Sequence, residues 1–246
     1  MSVTSLPLAD RQKETPSRTM AWYDWALAVA TFVSFPAALY GAFVYAPTEA
    51  VQGDVQRIFY FHVPIAWLMY LSFFVVFVAS ILYLWKRGDQ WDRLARCSAE
   101  IGVVFTTLVL ITGMLWGRPI WGIWWTWDAR LTSTLILWAI YVVYLMLRAY
   151  SDDRARGARY GAVLGIIGFA DVPIVQMSVT WWRTIHPQPV ISLEGNENLP
   201  PQMLFAMLVS LVAFTLFYVF VMRQRLRIES LKGEIEEIEQ LQESER

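Results

Sequence analysis

Cysteine is nearly absent from this chain, and that scarcity excludes several functions. Cys97 is the single cysteine among 246 residues. The chain can therefore form no intramolecular disulfide, no C-x-x-C redox pair and no C-x-x-C-H haem-attachment site, so it is not a c-type cytochrome. The sequence also lacks a G-x-x-x-x-G-K-[ST] loop, and any ATP hydrolysis would belong to another subunit.

Charged residues are also scarce, at 17% of the chain, whereas 57% of the residues are apolar and 15% aromatic. This composition is too apolar for a soluble domain of this length and indicates a lipid bilayer as the solvent. The first twenty residues are polar and contain no apolar stretch before a small-residue cleavage site. We therefore expect no cleavable signal peptide.

Six apolar segments are candidates for membrane spans, since about 20 helical residues at 1.5 Å each cross roughly 30 Å of hydrocarbon. They are residues 25–45, 63–85, 101–116, 131–147, 160–182 and 199–222. The fifth segment alone contains a charged residue, Asp171. The expected fold is all-α, an integral membrane bundle of six transmembrane helices with a tryptophan-rich outer-face loop.

Lysine and arginine predict the orientation of this bundle. Sixteen of them lie in the N-terminal segment, in the loops after the second and fourth spans and in the tail; four lie in the other loops. This asymmetry predicts that both termini are cytoplasmic. The outer loops are then roughly 46–62, 117–130 and 183–200. We expect a cytoplasmic N-terminal segment (1–24), a transmembrane domain (25–222) and a cytoplasmic charged helical tail (223–246).

Two features each allow two interpretations. The tail repeats apolar residues on a charged background, which fits either a solvated extension of the sixth span or a docking helix for a cytoplasmic partner. Asp171 precedes Pro173, which is expected to kink the fifth span. The carboxyl group could make a local hydrogen bond at the kink or belong to a proton or substrate path.

The two histidines, His62 and His186, both fall in the expected outer loops. His62 stands two residues before Pro64, which predicts a position at the start of a helix. Each histidine alone could be an interfacial hydrogen-bonding residue. As a pair they are too few for a zinc site, which needs three or four ligands. Two axial ligands are what a haem iron requires.

The outer loop between the third and fourth spans, taken as residues 116–133, is rich in tryptophan. Its candidate binding residues are Trp116, Gly117, Trp121, Gly122, Trp124, Trp125, Trp127 and Asp128. If Pro119 opens a short interfacial helix, Trp121, Trp124, Trp125 and Asp128 share one face of it. The glycines would let a flat ligand approach the backbone. An aromatic belt is the alternative, but five tryptophans favour a stacking platform for a planar ligand.

Four arginines are the only cations in the expected outer loops. They are Arg57, Arg118, Arg130 and Arg183. Arginine is suited to carboxylates such as the two propionates of haem. Each arginine could instead pair with lipid phosphate or with a nearby acid such as Asp128.

Three separate motifs, in the right order along the chain, resemble a known family. Residues 116–133 are similar to the tryptophan-rich WWD signature of haem-handling proteins in cytochrome c maturation, and most similar to the CcmC family. Y-F-H-V-P around His62 and S-V-T-W-W-R-T-I-H around His186 match that family's two outer-face histidine motifs. The resemblance covers residues 22–222. The charged tail lies outside it, and Asp171 stands where an uncharged polar residue such as Asn is expected.

The resemblance implies a membrane protein that handles haem and is not an enzyme. Haem b would be bound transiently and non-covalently, with His62 and His186 as axial iron ligands and the tryptophan loop around the ring. Arg57, Arg130 and Arg183 would join that site. The implied partners are the haem chaperone CcmE, CcmD, the CcmA/CcmB ABC transporter subunits and the lipid bilayer, with no nucleic acid. The implied location is the bacterial cytoplasmic (inner) membrane.

Other classes of protein remain as alternatives. A di-haem cytochrome b needs histidine pairs at two depths, which two histidines on one side cannot supply. A haem-attaching synthetase component of c-type cytochrome assembly is usually larger and carries more histidines. A haem-free permease subunit of an ABC transporter would differ in showing no haem spectrum.

Overall fold

Helices account for 86% of the residues that the computed structural model describes, namely 21–182, 184–186 and 199–244, and those ranges contain no β-strand. The helices are α1 (Trp22–Tyr40), α2 (Phe59–Lys86), α3 (Asp89–Trp121), α4 (Ala129–Ala149), α5 (Arg154–Phe169), α6 (Asp171–Trp181) and α7 (Pro201–Ser244). A π-helical turn, Gly41–Tyr45, extends α1, and a 3₁₀ turn, Asp54–Ile58, leads into α2. With α5 and α6 counted together, six helical segments are long and apolar enough to cross a membrane, which confirms the predicted fold class.

The six spans alternate in direction, with α5 and α6 forming one span, so their connections collect at two ends of the bundle. The end that carries the 122–128 connection is called the tryptophan end. The opposite end, where α2 leads into α3 and α4 leads into α5, is called the cationic end. Three described arginines, Arg57, Arg118 and Arg130, lie at the tryptophan end, against twelve lysines and arginines at the cationic end.

Two helices are much longer than their predicted spans. At 1.5 Å per residue, the 33 residues of α3 extend over about 50 Å and the 44 residues of α7 over about 66 Å. The predicted third span, 101–116, was too short because the apolar window excluded the charged first turns of α3. Residues 223–244 of the predicted tail form the second half of α7 and continue the sixth span without a break.

The predicted bounds of the second and fifth spans also change. α2 begins at Phe59, so Pro64 lies in its second turn rather than its first, while His62 stays in the first turn. The fifth span is broken between Phe169 and Asp171, and Pro173 lies in the first turn of α6. Proline is tolerated there because the first N–H groups of a helix lack intrahelical partners. The buried Oδ2 atom of Asp171 has no hydrogen-bond partner among the described residues.

Small residues let the helices approach closely. A Cβ atom on Gly102 of α3 would lie 2.6 Å from the Phe73 ring of α2. A Cβ atom on Gly168 of α5 would lie 2.7 Å from Ile140 of α4. Phe73 in turn stacks on Tyr141 of α4, with ring centroids 3.8 Å apart. Lipid tails are as apolar as the side chains of the helices, so the hydrophobic effect does not drive helix association in a membrane. Close packing of this kind drives it instead.

Candidate functional site

A cavity opens at the tryptophan end, between the first turns of α2 and α4 and the last turns of α3. It encloses about 660 Å³ not filled by atoms, part of it open to the surroundings. This space, here named the tryptophan cavity, is lined by His62, Val109, Leu110, Gly113, Met114, Trp116, Gly117, Trp121, Ile123, Trp124, Trp125, Thr126, Arg130, Leu131, Thr134, Ile185 and His186.

His62 is held by a hydrogen bond that fixes which ring nitrogen carries the proton. Its Nδ1 atom lies 2.8 Å from the Thr112 hydroxyl oxygen. That hydroxyl also lies 2.7 Å from the carbonyl oxygen of Leu108, which can only accept. A hydroxyl has one proton to donate, so Thr112 donates to Leu108 and accepts from the N–H at Nδ1 of His62. The Nε2 atom of neutral His62 therefore keeps its lone pair, the form that binds a metal.

Packing against α3 also orients the His62 ring. The ring meets Trp116 edge to face, with centroids 5.7 Å apart. A Cβ atom on Gly113 would lie 3.5 Å from Cε1 of His62, so the ring rests against this glycine. The Trp116 indole is itself held, because its Nε1 donates to the side-chain oxygen of Gln52 at 2.9 Å.

His186 comes to the same cavity from the segment that follows α6. Its backbone N–H donates to the Thr184 hydroxyl at 3.1 Å. His186 and Arg130 are near enough to His62 to interact electrostatically with its ring. Two imidazoles 124 positions apart in the sequence therefore line one cavity.

The short interfacial helix expected to open at Pro119 does not form, and that prediction was wrong. Pro119 lies inside α3, which runs on to Trp121 and ends at Gly122, a residue with φ of +75°. Because proline has no backbone N–H, one intrahelical hydrogen bond is missing in the last turn of α3. The left-handed glycine then stops α3, with its N–H bonded to the Arg118 carbonyl at 3.0 Å. Residues 123–128 are non-helical.

Four of the five predicted tryptophans nevertheless line the cavity. Trp116 and Trp121 come from the last turns of α3, while Trp124 and Trp125 come from the following loop. The buried Nε1 donor of Trp125 has no hydrogen-bond partner among the described residues. Trp127 is outside the lining and is 75% exposed, with its ring set edge to face on Trp125 at 5.4 Å.

The two predicted glycines differ in what they do. Gly117 lines the cavity, but a Cβ atom there would lie 3.1 Å from the Trp121 ring, so the missing side chain makes room for that indole. Gly122 is not in the lining and supplies the left-handed end of α3. The sequence predicted that both glycines let a ligand approach the backbone. In the structure, Gly117 makes room for the Trp121 ring and Gly122 ends α3.

Asp128 and two of the arginines act on local structure. Asp128 caps α4 by accepting the Leu131 N–H at 2.9 Å, and it also accepts the Thr126 hydroxyl at 3.1 Å. Arg57 donates to the Ala42 carbonyl at 2.5 Å and to Asp54 at 3.0 Å. Arg118 bonds to the Gly122 carbonyl. None of these three lines the tryptophan cavity.

Arg130 is the arginine of the described chain that lines the cavity, and Arg183 lies outside the described residues. Sequence reasoning missed Thr112, Gln52 and Met114. The only available signal for Thr112 was a polar residue in an apolar span, four positions before Trp116, and that pattern is not specific. Cys97 is 16 residues from Gly113 along α3, or about 24 Å.

These features define a multi-pass helical membrane protein with an aromatic, histidine-containing cavity at one end. The family model for heme exporter protein C (CcmC) matches residues 8–241. The chain is 37% identical to heme exporter protein C of Bradyrhizobium diazoefficiens over 244 residues, covering 99% of this chain and 91% of the relative. It is 35% identical to heme exporter protein C of Escherichia coli (strain K12), covering 84% of this chain and 83% of the relative. It is 33% identical to that of Haemophilus influenzae, covering 89% of each.

The chain therefore belongs to the heme exporter protein C family of membrane proteins.

Proposed function

We propose that this protein binds haem as transported cargo in the tryptophan cavity and passes it on for cytochrome c maturation. The observation that carries the proposal is the convergence of His62 and His186 on one cavity together with four indole rings. The relatives from Bradyrhizobium diazoefficiens and Escherichia coli are named as heme exporters. The residues around the cavity fit the three parts of haem: its iron, its flat ring and its propionates.

The iron of haem accepts two axial ligands, and a bis-imidazole pair suits it. His62 offers Nε2 because its Nδ1–H is held by Thr112. His186 is the second imidazole of the cavity. Both are needed in this proposal, since each comes from a different segment and neither is replaced by another imidazole of the chain.

The ring and the propionates have complementary surfaces in the lining. Trp121, Trp124 and Trp125 supply planar apolar faces for stacking. Arg130 supplies a guanidinium group suited to carboxylates, and the buried Nε1–H of Trp125 is a further donor. Arg57 is left out of this site because its donors are bonded to Ala42 and Asp54.

Haem would be held without a covalent bond. The single cysteine, Cys97, is buried and lies about 18 Å along α3 from Val109, the nearest cavity residue of that helix, so no thiol can reach a vinyl group of bound haem. Haem b is accordingly the expected form. The chain would handle haem without converting it, as a carrier rather than an enzyme.

The tryptophan end would face away from the cytoplasm. Twelve described lysines and arginines at the cationic end, against three at the tryptophan end, support this orientation by the positive-inside rule. Both termini would then be cytoplasmic, in the inner membrane. Haem bound at the outer face could be delivered to the chaperone CcmE, with CcmD and the CcmA/CcmB subunits as the other proposed partners.

The test is the absorption spectrum and pyridine haemochrome of the purified protein, for the native chain and for His62→Ala and His186→Ala. We expect a low-spin bis-imidazole spectrum in the native protein and its loss in either variant, with partial recovery on adding imidazole. Imidazole can fill the position that each truncated side chain leaves open.

A native protein that binds no haem would overturn the proposal in favour of a haem-free permease subunit. Haem resistant to extraction into acidic organic solvent would overturn the non-covalent mode and favour a synthetase-type component.

A further inference from the structure

A second cleft lies at the cationic end, far from the tryptophan cavity. It has about 710 Å³ not filled by atoms, part of it open to the surroundings, and is formed where the first turns of α3 and α5, the end of α4 and the tail portion of α7 meet. This space, here named the basic cleft, is lined by Asp92, Arg93, Arg96, Arg148, Ser151, Arg154, Ala158, Glu229, Lys232 and Gly233. Five cations and two acids in this lining leave a net charge of +3.

Both acids of the basic cleft are already paired. Asp92 accepts two hydrogen bonds from Arg148, at 2.5 and 2.6 Å, and both side chains are less than 10% exposed. Glu229 accepts from Arg96 at 2.9 Å. These pairs tie α3 to α4 and to the tail, and three further cations, Arg93, Arg154 and Lys232, line the cleft.

Two of those remaining cations have no partner in the part of the chain that the structure describes. Arg93 on α3 and Lys232 on α7 make no hydrogen bond or ion pair with a described residue. Arg154 adds a third cation at the first residue of α5, where the helix dipole also favours an anion. Guanidinium and ammonium groups converging in a polar cleft suit a phosphate group better than an apolar ligand.

We propose that the basic cleft binds a phosphate group. Its place in the fold indicates two sources. Ala149 ends the fourth span beside the cleft, where phospholipid headgroups are expected, and the far wall belongs to the tail portion of α7, which extends past that level. The phosphate could therefore come from an anionic phospholipid or from free phosphate in solution. The site is independent of the tryptophan cavity, and it gives the tail a role as one wall of the cleft.

The experiment measures the thermal unfolding of the full chain in detergent with four added probes. These are short-chain phosphatidylglycerol, short-chain phosphatidylcholine, inorganic phosphate and a poly-glutamate peptide at equal anion concentration. A ligand that binds the folded protein raises its unfolding temperature. The cleft variant is Arg93→Gln with Lys232→Gln. The matched control is Arg87→Gln with Arg159→Gln, two exposed cations of the same end outside the cleft.

Phosphatidylglycerol should protect the native chain and the control, whereas phosphatidylcholine should protect less because its choline neutralises the phosphate. The cleft variant should bind phosphatidylglycerol roughly 30-fold more weakly, about five-fold for each cation removed. Equal protection by inorganic phosphate would support phosphate recognition and assign the free ion as the source. Protection by poly-glutamate alone would overturn the proposal in favour of an acidic partner segment. An equal loss of protection by phosphatidylglycerol in the cleft variant and in the control would also overturn the proposal. So would the absence of protection of the native chain by any of the probes.

Discussion

The Nδ1 atom of His62 lies 2.8 Å from the hydroxyl oxygen of Thr112, although the two residues are 50 positions apart in the sequence. Because the Thr112 hydroxyl donates its proton to the Leu108 carbonyl, it accepts the N–H at Nδ1 of His62. This contact orients the ring and leaves the lone pair of Nε2 free. Metal-binding histidines commonly have such a partner on the other ring nitrogen, and its loss typically weakens metal binding or activity 10- to 100-fold.

Thr112→Val should therefore weaken haem binding by roughly 10- to 100-fold and disturb the low-spin spectrum, although His62 is still present. Thr112→Ser should retain the acceptor and restore both. The measurement is haem titration with absorption spectra. Thr215→Val is the matched control, because Thr215 makes the same type of bond to its own helix, to Leu211 at 2.7 Å, without touching the cavity. A native-like spectrum in Thr112→Val would show that the contact is only structural.

The tryptophan lining allows a test of stacking against ligation. Changing Trp121, Trp124 and Trp125 together to Leu should remove planar contacts worth about 0.5 to 1.5 kcal/mol each. Haem affinity should then fall roughly ten- to a few thousand-fold if the losses add. Added imidazole should not rescue this defect, since both histidines remain.

Trp127→Leu is the control for that triple variant, because Trp127 is 75% exposed and outside the lining. It should keep native haem affinity. Full haem occupancy in the triple variant, at matched protein levels, would mean that the tryptophans anchor the loop or dock a partner instead of holding haem.

Arg130 and Arg57 should differ in the quantity that each affects. Arg130→Gln should weaken haem binding, because it removes the guanidinium that faces the cavity. Arg57→Gln should instead lower the thermal stability, by roughly 1–3 kcal/mol in free energy of unfolding, since Arg57 holds the Ala42 carbonyl and Asp54. Haem titration and thermal unfolding of both variants separate the two effects. Loss of haem affinity in Arg57→Gln with unchanged stability would contradict this assignment.

The tail should be dispensable for haem. Deleting residues 228–246 removes Glu229 and its bond to Arg96 but no residue of the tryptophan cavity. Haem occupancy and spectrum should therefore be native, while protection by phosphatidylglycerol should decrease because Lys232 leaves the basic cleft. Loss of haem on truncation, in a protein that still folds, would show that the tail affects the site.

Reporter fusions test the orientation. Fusions after Trp85, Arg148 and Met222 should give cytoplasmic signals, because each follows an even-numbered span at the cationic end. Fusions within 46–57 or 187–197 should give external signals. An external signal after Arg148 would contradict the proposed orientation and the six-span order.

The sequence by itself was sufficient for the number and order of the membrane spans. A long apolar segment that crosses a bilayer folds as a helix, because its backbone N–H and C=O groups find no water there and must bond to each other. Apolar length therefore predicts the element directly. Charge asymmetry around those spans also predicts an orientation, since lysine and arginine are retained on the cytoplasmic side. The ends of α3 were harder to predict, because a helix continues past the hydrocarbon wherever local propensity and packing allow.

Only the tertiary structure decided which candidates reach the cavity. Pro119 could open one helix or lie near the end of another, and local sequence does not distinguish these positions. Arg57 and Arg130 were equivalent as outer-loop cations, yet packing commits Arg57 to the Ala42 carbonyl and leaves Arg130 at the cavity. Thr112 gained its role only when α2 and α3 packed together. A hydrogen bond between residues 50 positions apart depends on where two helices bring their side chains, which no pattern within either helix contains.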